Sequence, residues 1–286
     1  MFEEASRPMS TMNAIVIASD LTARSDRPYD RAVRMAREAG ARLVLVHAVE
    51  AGSAQAEVDL LARARASAAQ LIRGLDIPVE TDIEIGAAPE IIADAAERSR
   101  ADLIVVGPAR FNNIADIFLG TAVDHLVRCA TVPVLVVKQR PGAIYNRLVV
   151  ATDFSDPSAH ALLTAAAQFP AAPITVVHGF QPTFPIRMGA EAGRAHAEAE
   201  ARQGMTEFLA RPDIGPLRPR ITDELVEGMP AVAVARTADH FDVPLVVVGA
   251  TGTSGFAQAV LGSRASDILD TVPCDVMVVR RKPDAG

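Results

Sequence analysis

The sequence predicts an α/β fold written twice in tandem, each copy an open parallel sheet with helices on both faces. Three observations predict it. Short runs rich in Val and Ile alternate with stretches of helical periodicity rich in Ala, Arg and Glu. The alternation occurs twice, in the same order, within 286 residues. Corresponding runs in the two passes end in corresponding residues, the mark of an internal duplication.

Along the chain, Ala14–Ala18 leads into Ser19 and Asp20, and Leu148–Ala151 leads into Thr152 and Asp153. Asn13 and Asn146 precede those aspartates at the same distance. Leu43–His47 and Ile174–His178 form the second pair. Asp102–Gly107 matches Val243–Gly249, and Thr131–Val137 matches Thr271–Val279, both beginning Thr-Val-Pro. Short β-branched runs of this kind suit parallel strands covered on both faces. Between them, Arg31–Ala39, Glu57–Leu75, Pro89–Arg98, Ser158–Gln168 and Glu191–Leu209 carry helical periodicity. Pro89 and Pro230 follow Gly86 and Gly228 at a spacing that puts each proline in a first helical turn, where a missing N–H is tolerated. Strands and helices alternating in this way give parallel pairs joined by right-handed crossovers. Gln139–Tyr145 reads as the linker. The stretch from Phe180 to Gly204 exceeds its counterpart; Pro182, Phe184, Pro185 and Met188 can cover a pocket or meet a partner, or simply form a loop before a solvated helix, Glu191–Arg202.

Composition narrows the function classes. Half the residues are hydrophobic and 22% are charged, proportions that support a substantial core. The net charge is −7 and neither half is basic, so no nucleic-acid surface is predicted. No apolar run approaches the ~18 residues that span a bilayer. The start, Met1 to Ala5, has neither the positive charge nor the apolar core of a secretory signal. No membrane partner is expected, and a cytoplasmic setting is, in which Cys129 and Cys274 stay reduced.

The glycines of the second half carry the chemistry. Gly249 ends a strand, where a missing Cβ lets a ligand approach the backbone. Gly252 lies in a polar stretch, Ala250–Gly255, able to wrap oxygens with backbone N–H groups. Gly262 and Ser263 open a helix over Arg264–Leu269, and Ser263 can serve as its N-cap or offer its hydroxyl. A helix N-terminus with free N–H groups is a ready anion site.

Taken together, the duplicated fold, the aspartates after the first strands, His47 and His178 ending the second strands, and Gly249-x2-Gly252-x9-Gly262-Ser263 resemble the universal stress protein family. The resemblance covers residues 11–140 and 144–281, and implies two domains with those bounds. Each would be a five-stranded parallel sheet in the order 3-2-1-4-5, with ATP, optionally accompanied by Mg, at the strand C-termini. That order sets the first strand beside the fourth, so Asp153 and Gly249 meet at the topological switch point, where open α/β sheets take ligands. Carried over by position, the ATP contacts fall on Ala151, Thr152 and Asp153, then on Gly179, then on Val248, Gly249, Thr251 and Gly252. The phosphate end falls on Gly262, Ser263, Arg264 and Ala265. Asp153 can accept from ribose hydroxyls, hold a phosphate-bridging metal, or cap the helix that follows. Gly179 departs from the small apolar side chain that the family sets against adenine. The resemblance also implies that the fifth strands meet across a pseudo-two-fold axis as an internal dimer, with pairing of whole chains as a further option.

The first copy departs further. Gly107 is followed by Pro108, Ala109 and Arg110, so an arginine stands where the second copy has Gly252, while Gly120 and Thr121 keep the end of the motif. A side chain there intrudes on the phosphate path and Pro108 withholds a donor, which predicts a degenerate, empty site. Arg110 can alternatively pair with a phosphate or carboxylate.

The only lysines are Lys138 and Lys282, and no Gly-Lys-Ser/Thr occurs, so a Walker P-loop is excluded. Rapid ATP turnover is not expected and no catalytic residue is assigned. His47, His125, His160, His178, His196 and His240 show no metal spacing and read as structural or surface residues, with a zinc site from distant histidines left open. The expected function is a cytoplasmic, ATP-binding stress-response regulator or protector that works through a protein partner. The alternatives are a slow ATPase or nucleotidyl-transfer enzyme, and a scaffold whose sites are vestigial.

Overall fold

The computed structural model describes residues 12–50, 52–108, 121–142, 144–182, 190–250 and 261–281, without the side chains of Thr121, Ala122 and Cys129. The first half runs β1 (Ala14–Ala18), α1 (Asp26–Ala39), β2 (Arg42–Val49), α2 (Ala54–Leu71), β3 (Val79–Ile85), α3 (Ala88–Arg98), β4 (Leu103–Val106), α4 (Thr121–Cys129) and β5 (Val134–Val136). The second runs β6 (Leu148–Ala151), α5 (Asp156–Gln168), β7 (Ile174–Phe180), α6 (Ala190–Leu209), β8 (Ile221–Glu227), α7 (Pro230–His240), β9 (Leu245–Gly249), α8 (Ser263–Thr271) and β10 (Asp275–Val279).

The ten strands of the described residues join one sheet, ordered β3-β2-β1-β4-β5-β10-β9-β6-β7-β8. Within each half the pairs are parallel and the order is the expected 3-2-1-4-5. The halves meet where β5 and β10 run antiparallel, with Val136 opposite Val276, Leu135 opposite Met277 and Val134 opposite Val278. A pseudo-two-fold axis therefore passes between Leu135 and Met277. The reversal points the strand C-termini of the two halves toward opposite ends of the sheet.

Period-two alternation divides the core between two faces. Ile15 and Ile17 pack toward α1, α2, α5 and α6, while Ala14 and Val16 pack toward α3, α4, α7 and α8. Fully burying a side chain of this size stabilises by roughly 1.5–3 kcal/mol, and the central strands contribute many. The outer strands β3 and β8 differ. Glu80, Asp82 and Glu84, and Asp223, Glu224 and Glu227, interrupt their apolar residues. Such charges on a strand with one neighbour discourage pairing with foreign edges. Apolar runs do not mark these strands because only part of each is covered.

Three expectations, about register, a helix boundary and solvation, need correction. The Thr-Val-Pro triplets at 131–133 and 271–273 are not structural equivalents. Val134 lies beside Ile104 as Val276 lies beside Val246, so Pro133 corresponds to Asp275, two residues further on than the triplets suggest. Helix α1 begins at Asp26 rather than Arg31, with Pro28 in its first turn, where a missing N–H is tolerated. Helix α6 is not solvated throughout: Ala197, Ala201, Met205 and Phe208 bury one face. Phe184, Pro185 and Met188 lie outside the described residues. Among the described residues, no helix is long and apolar enough to cross a membrane.

Asp275 is fully buried at the junction, at 0% exposure. One carboxylate oxygen accepts from the backbone N–H groups of Lys138 (2.8 Å) and Gln139 (2.9 Å), just past β5. The other accepts from the Tyr145 hydroxyl at 2.6 Å and faces Arg31 of α1 at 3.5 Å. The Arg31 guanidinium also lies 4.3 Å from the centre of the Tyr145 ring. Burial, with Asp275 beside it, holds the Tyr145 hydroxyl well above the usual tyrosine range. Tyr145, expected in a linker, is thus a core residue. One carboxylate from the second half fastens β5, the connecting segment and α1. Buried, multiply bonded charges are costly to break apart because their partners lose an acceptor that water cannot replace. Asp275→Ala is expected to destabilise the chain by about 3–5 kcal/mol, read as a lowered urea midpoint, whereas Tyr145→Phe costs about 1 kcal/mol.

Candidate functional site

The site forms where β6, β7 and β9 end and α8 begins. After β6 the chain turns on its own side chains. Thr152 Oγ1 accepts from Phe154 N at 2.9 Å, and Asp153 Oδ1 accepts from Ser155 N at 3.2 Å and from the Ser155 hydroxyl. Ser155 in turn is the N-cap of α5, accepting from Ser158 N. Asp153 therefore shapes the turn before the helix, and the capping role belongs to Ser155.

Phe154 sits in the left-handed region at φ +66°, as Leu21 does at +57° after β1. Such a conformation costs a bulky residue on the order of 1–3 kcal/mol, so its surroundings must hold it. The Phe154 ring stacks on His178, centroids 4.2 Å apart and planes 25° apart, and lies 6.0 Å from the Phe208 ring. On its other side α6 approaches so closely that a Cβ on Gly204 would fall 2.7 Å from Phe154 Cε2.

His178 Nδ1 lies 2.8 Å from the Thr152 carbonyl oxygen, which can only accept, so Nδ1 carries the proton. Burial pushes the His178 pKa down; the Thr152 bond and the Asp153 charge oppose that, and Arg264 adds to it, with a net lowering. The imidazole is thus held neutral at the cavity wall, with Nε2 as an acceptor.

Two glycines of the expected site have packing reasons. A Cβ on Gly249 would lie 3.0 Å from the Pro157 carbonyl oxygen and 3.1 Å from its carbon. The missing side chain admits the first turn of α5, a packing reason for glycine at that position. A Cβ on Gly179 would lie 2.9 Å from Pro230 Cα and 3.0 Å from Ala233 Cβ. Here α7 packs directly against the end of β7.

Helix α8 starts with Gly262 as N-cap, at φ −60° and ψ 141°, so Ser263 is its first helical residue and not its cap. No side chain caps this end, and the first turn holds no acidic residue. The N–H groups there have no intrahelical acceptors. Gly262 N is tied to the Ala250 carbonyl at 2.9 Å, which fixes the helix start against the end of β9.

These pieces surround a cavity of about 300 Å³. Ala151, Thr152 and Asp153 line it from β6, and Gly179 from β7. Val248 and Gly249 line it from β9, and Gly262, Ser263, Arg264 and Ala265 from α8. Thr251 and Gly252 lie outside the described residues. Sequence reasoning missed Ser158, Val177, His178, Pro230, Val234 and Ile268, which also line it. His178 had a signal, adjacency to Gly179, but read as structural; it is structural and lines the cavity as well. Charged groups on the described wall are Asp153 and Arg264, with His178 the remaining titratable one. Among the described residues, no group of three or more His, Cys, Asp or Glu gathers as a metal cluster.

The first half repeats the turn. Asp20 Oδ1 accepts from Thr22 N (2.9 Å), Thr22 Oγ1 (2.8 Å) and Ser25 Oγ (2.7 Å), and His47 Nδ1 lies 2.8 Å from the Ser19 carbonyl. Burial works against charge on Asp20, but bonds from Ser25 and Thr22, with Arg24 nearby, hold its carboxyl below the usual range. Arg110 and Gly120 lie outside the described residues.

A model of the universal stress protein family matches residues 12–138 and again residues 144–280. The chain belongs to the universal stress protein family. Universal stress protein E of Salmonella typhi is 24% identical over 223 residues, which cover 73% of this chain and 70% of that protein. A universal stress protein of Thermus aquaticus is 29% identical over 143 residues, covering 48% of this chain and 100% of the relative. The crystal structure of a universal stress protein from Archaeoglobus fulgidus superposes with a TM-score of 0.66 at 17% identity, over 95% of this chain and 97% of that one. At that identity the likeness concerns fold.

Gly249→Ala is expected to destabilise this universal stress protein by about 1–3 kcal/mol, because backbone rather than a flexible side chain stands in the way of the new methyl. Chemical denaturation checks it; an unchanged midpoint would contradict the packing role.

Proposed function

We propose that the second half binds ATP in this cavity, and that the chain acts as a stress-response regulator or protector in the cytoplasm through a protein partner. The observation that carries the proposal is the first turn of α8. Residues 262–265 of that turn line the cavity, no side chain caps it, and it holds no acidic residue. A cation at a helix N-terminus opposes the helix dipole by about 0.3–1 kcal/mol in an isolated helix. The same arrangement becomes favourable once an anion is seated there. Phosphates at α8 would leave the base and ribose against Val248, Val234 and the β6 and β7 ends, with Asp153 placed for ribose hydroxyls.

Asp153 is the one carboxylate on the described wall, and it fits a Mg ion carried in with the phosphates. Such an ion would supply charge neutralisation; Ser263 and the α8 amides would orient the phosphate chain. The first half is proposed to hold no nucleotide, since Arg110 and Pro108 replace features that its counterpart keeps. The acidic outer strands leave no apolar sheet edge for pairing whole chains, so any homodimer would use another surface.

The enzyme alternative has one observation in its favour: His178, a neutral imidazole on the cavity wall, is a base. No lysine lines the described wall, however. Turnover slower than about 1 s⁻¹ is expected, below the usual range of kcat. Isothermal titration with ATP should give one site per chain. Gly252→Arg should abolish binding by filling the phosphate path, and Ser263→Ala should weaken it by about 1 kcal/mol. Two equivalent sites, binding that survives Gly252→Arg, or rapid ADP release would each overturn this proposal.

A further inference from the structure

The two ends of α8 are in different hands. Its N-terminus forms the proposed cradle, while its C-terminus is held by a residue of the other half. Lys138 follows β5, is 5% exposed, and its Nζ donates to the carbonyls of Leu269 and, at 2.6 Å, Val272. Those carbonyls belong to the last turn and C-cap of α8, which has no basic residue of its own there. Asp270 in that turn has the sign that its dipole disfavours, so the missing cation comes from the first half. The Lys138 backbone is itself fixed, its N–H bound by Asp275 and its carbonyl accepting from Arg27 at 3.0 Å.

We propose that Lys138 is a positioning residue through which the first half sets the second half's anion cradle, by clamping the C-terminus of α8. This inference rests on the nucleotide reading above. The mechanics follow from length. Helix α8 has nine residues, about 13 Å end to end, so it moves as one rod. It is seated on β9 and α7, with Gly262 tied to Ala250 at the front and Lys138 gripping the back. Releasing the back lets the rod slide or tilt, and the amides of residues 263–265 leave the alignment that converging phosphate oxygens require. The first half, although its own motif is degenerate, thereby keeps a role in binding at the second.

The clamp is sensitive to protonation. Burial lowers the Lys138 pKa from its usual value to about 8, partly offset by the thiol of Cys274 and the carboxyls of Asp270 and Asp275. Those groups come from α8 and from β10 and its lead-in; α1 adds Arg27 at the Lys138 carbonyl and Arg31 across Asp275. The Cys274 thiol is pushed up to about 12 by burial, with Asp275 adding and Lys138 opposing, and so does not titrate alongside the lysine. Because the folded-state pKa of Lys138 is depressed, the charged clamp is present below about pH 8 and lost as pH rises through that value.

The test uses the full chain with ATP as probe, in wild type, Lys138→Arg and Lys138→Met. Affinity is measured by titration at about pH 7 and about pH 9.5, either side of the transition. Wild type should lose affinity several-fold across that interval, Lys138→Arg should stay level, and Lys138→Met should bind about tenfold more weakly than wild type at the lower pH. Equal affinity in wild type and Lys138→Met, or identical pH profiles for wild type and Lys138→Arg, overturns the clamp. Hydrogen exchange in nucleotide-free protein separates this from the nucleotide reading. The amides of Gly262 and Ser266, which bond to the Ala250 and Gly262 carbonyls, should exchange faster in Lys138→Met while β6 and β9 stay protected; unchanged protection there also overturns it. A wild type that binds no ATP, together with the exchange difference, defeats the nucleotide reading and leaves the clamp standing.

Discussion

The structure depends on the antiparallel pairing of β5 with β10, locked by the buried carboxylate of Asp275. Three residues of β5 and five of β10 are apolar or buried on both faces. Left as free edges, they would offer unpaired N–H and C=O groups beside apolar side chains, an invitation to aggregation. Pairing removes both edges at once and leaves only the acidic outer strands at the ends of the sheet. Register alone would not fix the junction, because valines repeat along both strands and a slip would still bury them. Asp275 breaks that degeneracy. Its oxygens reach Lys138, Gln139, Tyr145 and Arg31 together only in the observed register.

The junction also determines how the duplicated halves can diverge. Reversal at the axis sends the two crevices to opposite ends of the sheet. It also brings the C-terminal end of β5 beside the C-terminus of α8. Exact symmetry is broken there, since the counterpart of Asp275 is Pro133. A duplicated fold with one asymmetric junction can let one crevice lose its ligand motif while its strands and its lysine still support the other. The belonging of both halves to one family is shown by the double match; what each half now does is a question of local chemistry.

How much of this was legible in the sequence follows from what each residue contacts. Strands β1, β4, β6 and β9 were readable because both faces are covered and their residues are uniformly apolar. The outer strands were not named from their residues, since their glutamates and aspartates resemble loop composition once the partner strand is ignored. The Thr-Val-Pro triplets misled because three identical residues look like register, while register is set by pairing across the sheet. Gly249 was recognisable as special, but the approach of Pro157 to it depends on a helix placed by tertiary packing. The role of Asp275 was not legible, because its partners at 31, 138 and 145 are far away in the chain. Ten of the twelve expected site residues line one cavity because the motif is local to strand ends and one helix start. Thr251 and Gly252 lie outside the described residues, and His178 escaped because a bond to Thr152 and a place on the wall are compatible roles.

The central claim is that a nucleotide sits in one crevice, with its phosphates on α8. Amide chemical-shift mapping during an ATP titration of the full chain tests it most directly. The account predicts shifts concentrated at residues 151–153, 179 and 263–265, with those at 18–20 and 121–123 unmoved. Matching shifts in both halves, or shifts that spare residues 263–265, would contradict it.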